Sequence, residues 1–146
     1  MLRYWLPVVV WMGVIFFAST DLLSSNRTSR IIRPLLKWLK PDLSEAALGK
    51  TQFVIRKCAH VVEYAVLAVL VWRARRVTLR PGQPGWDVRE AVLTATWCGA
   101  YAATDELHQY FVASRFGTLE DVALDTLGAC AGLLSVWWIG RWLKRW

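Results

Sequence analysis

The chain has 146 residues, 55% of them hydrophobic and 20% charged, with a net charge of +7. That apolar fraction exceeds what ordinary soluble domains use, and the ten tryptophans point to membrane–water interfaces, where an indole keeps one edge wet and its ring dry. The basic residues lie between apolar runs instead of forming an aromatic-interleaved stripe, which argues against a nucleic-acid partner. Cys58, Cys98 and Cys130 fall in separate runs without CxxC spacing, so they read as small core residues and not as a disulfide framework or zinc site.

In chain order, the first apolar run covers about residues 4–18. Trp5, Pro7 and Trp11, and the lack of an A-x-A site in "FASTDLL", favour a retained span over a cleaved leader. Next, Ile32, Leu35, Leu36 and Leu39 recur at helical spacing while Arg33, Lys37 and Lys40 share another face, which predicts an amphipathic helix lying on the membrane surface and ended by Pro41. "DLSE" then offers an N-cap and a capping-box glutamate, so the second spanning helix is expected to begin near Ser44, ahead of an apolar stretch at about 53–72. Two further runs, about 91–112 and 119–140, match the ~20 residues that a ~30 Å hydrocarbon core requires. The expected fold is an all-α integral membrane protein with four transmembrane helices in a single domain over residues 1–146, plus the interfacial helix between the first two.

Basic residues orient these spans. The connection "RARRVTLRPGQPGWDVRE" has five arginines and the tail after Gly140 has three basic residues, whereas the turn around 113–118 has only Arg115, which predicts both termini inside. Six basic residues in the first connection argue the other way, but that segment is long and read as surface-bound.

With that orientation, His60, Asp105 and Asp125 each lie six or seven residues from the outer end of their spans, roughly 10 Å deep at 1.5 Å per residue, and are expected to share a layer. Lys57, His60 and Tyr64, with Glu63 beside them, take one side of the second span; Asp105, His108 and Gln109 take one side of the third. Asp121 and Asp125 continue through Gly128 and Gly132, where absent side chains let another helix approach. A charged group at mid-membrane costs at least about 2.5 to 3.5 kcal/mol, so these residues must pair, bind something or line water. Pairing alone, with Lys57 and Arg115 neutralising carboxylates, would make the layer a structural polar core.

"KCAHVVEYAVL" together with "DELHQYF...R.....D...DTLGACAG" resembles the VanZ-like family of bacterial membrane proteins, and the resemblance extends from "FAST" to Gly132. The positions that correspond are Lys57, His60, Glu63, Tyr64, Asp105, Glu106, Gln109, Arg115, Asp121, Asp125 and Gly128. This chain departs at Ala113 and Ser114, where relatives often have Pro-Gly, and at Asp125, where Asn is frequent. The resemblance implies a four-span helical protein of the bacterial cytoplasmic membrane, in a family named for a protein linked to teicoplanin resistance.

Three uses of the site stay open. Lys57 and Arg115 would hold the phosphate of a lipid or lipid-linked envelope molecule while the acids and Gln109 bind its hydroxyls or amines. A membrane-embedded hydrolase or group transferase would draw its catalytic groups from His60, Glu63, Asp105 and Glu106. A proton-coupled transporter would use the histidine and acids as a relay. No HExxH, GxSxG or P-loop occurs. No cofactor or metal is expected, and the side chains able to supply metal ligands are His60, His108 and Glu106.

Overall fold

A computed structural model describes residues 1–20, 25–82, 85–112 and 117–145, without the side chains of residues 25–28. Its elements are five helices: α1 (Leu2–Ala18), α2 (Ser25–Leu39), α3 (Glu45–Leu79), α4 (Val88–Tyr110) and α5 (Leu119–Trp142), with no strand among the described residues. Three starts are set by side-chain caps. The hydroxyls of Ser44 and Thr118 accept from the backbone N–H of Ala47 and Asp121, and the Asp87 carboxylate accepts from those of Arg89 and Glu90, each satisfying helix-end donors that have no intrahelical partner.

Pairwise contacts fix the helix directions. Gly128 packs on Val61 and Gly132 on Ala65, so residue numbers rise together and α3 is parallel to α5. Tyr64 meets Tyr101 while Arg75 meets Glu90, which makes α4 antiparallel to α3. Tyr101 donates to the Met12 carbonyl and Ser19 donates to Asp105, so α1 runs with α4. The four long elements therefore alternate in direction. Their shared apolar core includes Val8, Ile15, Leu67, Val71, Ala102 and Leu133.

Of the described helices, only α5 is long and apolar enough to cross a membrane on length and composition; α1 is apolar but has 17 residues. Four crossings are thus not shown by composition. The reason is physical: Lys57, His60 and Glu63 interrupt the apolar sequence of α3, and Asp105 and Glu106 interrupt that of α4.

Other expectations are corrected. Glu45 does not close a capping box, because Ser44 is itself the cap; its carboxylate instead takes Arg33 at 2.6 Å and Lys37 at 2.9 Å, tying α2 to the start of α3. The stretch read as a basic loop is largely helix, since α3 continues through Arg73, Arg75 and Arg76 to Leu79. Arg75 meets Glu90 at 3.0 Å, and Arg80 pairs with Asp87 and reaches Glu90 at 3.4 Å. These charges close the α3–α4 hairpin. Cys98 is buried, but Cys58 is exposed and so is not a core residue.

Candidate polar site between the helices

The site begins with close backbone approach. A Cβ added at Gly128 would lie 2.6 Å from the Val61 carbonyl oxygen, and one at Gly132 would lie 2.4 Å from that of Ala65. Any side chain there would hold α3 and α5 apart. Because they touch, polar groups within the two turns before this seam face one another. Lys57 pairs with Asp121, and His60 Nδ1 lies 3.4 Å from Asp125 Oδ1.

α4 and α1 supply the other wall. Asp105 is buried, and its Oδ2 accepts from the Ser19 hydroxyl at 2.9 Å and from the Gln109 amide at 3.1 Å. Ser19 belongs to "FAST", immediately past the C-terminus of α1, and is itself buried. Glu106 Oε2 accepts from the backbone N–H of Thr118 at 2.9 Å, so one carboxylate fastens the end of α4 to the start of α5. Gly117 allows that fastening: a Cβ there would lie 2.1 Å from the Glu106 carbonyl oxygen.

Several buried polar atoms in this layer have no hydrogen-bond partner among the described residues. They are His60 Nδ1, the Tyr64 hydroxyl, Asp105 Oδ1, Glu106 Oε1 and both carboxylate oxygens of Asp125, whose side chain is 0% exposed. His60, Glu106 and Asp125 can each point one ligand-capable atom to within 4.8 Å of the other two. Such a concentration of unmet polar atoms is unusual, because buried polar groups in native proteins are nearly always partnered.

Not every candidate enters this layer in the same way. Lys57 and Asp121 satisfy each other at its edge, partly buried. Glu63 exerts a charge on His60, while its backbone carbonyl accepts the Trp11 indole N–H at 2.9 Å. His108 stacks on Phe16 with ring centroids 4.4 Å apart, and the residues grouped with His60 and Glu106 include Asp125 in its place. Arg115 lies outside the described residues.

Ser19, Thr118 and Gly117 escaped the residue-by-residue reading. Only Ser19 left a trace, because "FAST" begins the resembling region; the contact of Thr118 is through its backbone and so carries no side-chain signature. Two cavities of about 440 and 250 Å³ lie at the other end of the bundle, both lined by Trp72 and Arg76.

The family model described as VanZ/LLP1 matches residues 4–140. No curated protein and no solved structure matches the chain. The matched segment runs from α1 almost to the end of α5 and contains every residue of the polar layer, and on that match the chain belongs to the VanZ/LLP1 family.

Proposed function

We propose that this protein is a four-crossing bundle of the bacterial cytoplasmic membrane, both termini inside, whose buried polar layer binds the head group of a lipid or lipid-linked envelope molecule. Its polarity is inverted relative to a soluble domain. Large apolar side chains face outward on all four long helices, among them Val9, Val62, Val92 and Leu134, each more than half exposed, while Asp105, Glu106, Gln109 and Asp125 are buried. The observation that carries the reading is the set of buried polar atoms on three helices, four of them carboxylate oxygens, without hydrogen-bond partners among the described residues. A self-contained structural network would be expected to satisfy itself.

The charge of Lys57 is already met by Asp121, so the inner layer chiefly offers acceptors, suited to the hydroxyls or amines of a head group. Family membership relates the protein to glycopeptide susceptibility through the teicoplanin-resistance member that gives the family its name. One observation favours a hydrolase or group transferase as a second reading: the Asp125 carboxylate beside His60 is the arrangement that orients an imidazole as a general base.

Native mass spectrometry of gently extracted wild type and Asp105→Asn decides between these. Head-group binding is supported when wild type retains a lipid that the variant loses at an unchanged thermal midpoint. A variant that keeps the lipid and loses about 3–5 kcal/mol of stability would identify the acids as helix glue instead. Lipid recovered in cleaved form would move the assignment to the enzyme.

A further inference from the structure

We propose that His60, Glu106 and Asp125 bind one divalent transition-metal ion inside the polar layer. This deepens the head-group reading and rests on it only for what fills the remaining coordination positions.

Geometry comes first. The three side chains come from α3, α4 and α5, and their ligand-capable atoms lie within 4.8 Å of one another. Metal–ligand bonds of about 2.1 Å in tetrahedral arrangement set neighbouring ligand atoms about 3.4 Å apart. His60 Nδ1 and Asp125 Oδ1 already stand 3.4 Å apart, close enough for an ion pair. That is long for a charge-assisted hydrogen bond, which favours 2.7–2.9 Å, and right for two ligands of one ion. To complete the set the Glu106 carboxylate has to close its gap from within 4.8 Å to about 3.4 Å.

A second observation points to a ligand independently of the cluster. Asp125 is completely buried, and neither of its oxygens has a hydrogen-bond partner among the described residues; Glu106 Oε1 is in the same condition. Protonating His60 would offset one of the two carboxylates. A divalent ion offsets both and leaves the imidazole neutral, so the assembly carries no net charge in a setting where each uncompensated charge costs kilocalories. The ligand chemistry narrows the ion: one imidazole nitrogen with two carboxylate oxygens suits Mn²⁺ or Zn²⁺, whereas Mg²⁺ and Ca²⁺ favour oxygen alone. His108, stacked on Phe16, is outside the set.

Full-length protein in mild detergent, stripped with EDTA, is titrated with Mn²⁺ alone and followed by electron paramagnetic resonance. The expectation is one bound ion per chain, with spin-echo modulation from an imidazole nitrogen. The chain has two histidines, so the modulation should persist in His108→Gln and vanish in His60→Gln. Altering groups that merely support ligands costs 10–100-fold in affinity, so Glu106→Gln and Asp125→Asn are expected to weaken binding at least about 100-fold. Thermal midpoints without metal show which variants fold, and wild type and His108→Gln carry the spectroscopic readout regardless. Absence of stoichiometric binding, modulation surviving in His60→Gln, or unchanged affinity in a folded Asp125→Asn overturns the site. Native mass spectra of the same samples separate the two ideas: lipid retained without metal binding sinks the ion alone, and an ion bound without lipid sinks the head-group reading alone.

Discussion

Asp105 shows how neighbouring side chains position a single buried acid. Ser19 and Gln109 both donate to Oδ2, which orients the carboxylate and leaves Oδ1 to the layer. A hydrogen bond to a buried charged group contributes about 1.5–3 kcal/mol. Ser19→Ala is therefore expected to lower stability by about that amount, measured from thermal or denaturant unfolding in detergent; an unchanged midpoint would mean that this bond does not hold the end of α1. Much of this scale was legible in the sequence. Counting residues from the ends of the apolar runs set His60 and Asp125 at one depth, and helical spacing gathered Lys57, His60 and Tyr64 on one side. What could not be read was which acid faces the histidine, since that depends on rotation of α5 about its axis. Nor could the role of Ser19 be read, because a serine past the end of a helix is ordinarily a boundary signal.

At the scale of elements, the α3–α5 seam controls the site. Alanine at Gly128 or Gly132 would place a methyl group against backbone carbonyls that cannot swing away. Overpacking of this kind typically costs about 1–3 kcal/mol. Gly128→Ala is expected to show that loss in the thermal midpoint and to separate His60 from Asp125 as well, while Gly49→Ala, inside α3 with nothing within 4 Å, should not destabilise and should add up to about 1 kcal/mol.

The α2–α3 tether has a pH dependence. The hydrogen bond from Lys37 holds the Glu45 carboxyl below its ordinary value of 4.5, helped by the charges of Lys37 and Arg33. A carboxyl with a lowered folded-state value contributes its docking energy above the ordinary value and loses it as pH falls through the lowered one. Docking of α2 should therefore persist at neutral pH and weaken below about pH 4.5, as read from a spin label on α2. Glu45→Gln should abolish the pH response. The amphipathic pattern and Pro41 located this helix correctly. Glu45 was misassigned because it stands three residues after Asp42, which fits a capping box only if the helix is capped there, whereas the cap is Ser44.

For the whole molecule, orientation is the testable matter. Cysteine placed at Val88 or Glu120, both exposed, avoids Gly85, whose φ of +98° suits glycine, and Gly117, which has no room for a side chain. In a background lacking Cys58, Cys98 and Cys130, an impermeant reagent applied to intact cells should label the Glu120 position and spare the Val88 position; the reverse pattern would invert the proposed topology. The alternation of four apolar runs was visible from length and loop charge. The reach of α3 was not, because arginines that pair with acids across a hairpin look, in one dimension, like a positive-inside signal.

The partners of α3 also impose an order on biogenesis. Lys57 finds Asp121 64 positions later in the chain, and His60 meets Asp125 on that same last helix. At a synthesis rate of about 5–20 residues per second, the polar side of α3 waits roughly 3–13 s for its counterpart to emerge. During that interval α3 has α1 and then α4 to lean on, through contacts such as the Trp11 indole on the Glu63 carbonyl and Arg75 on Glu90, but nothing opposite its polar side on α5. A nascent chain stalled after residue 112 is accordingly expected to leave α3 accessible to protease or still crosslinked to the insertion machinery, whereas release of α5 should make it resistant. Equal protection in both states would show that α3 settles without α5.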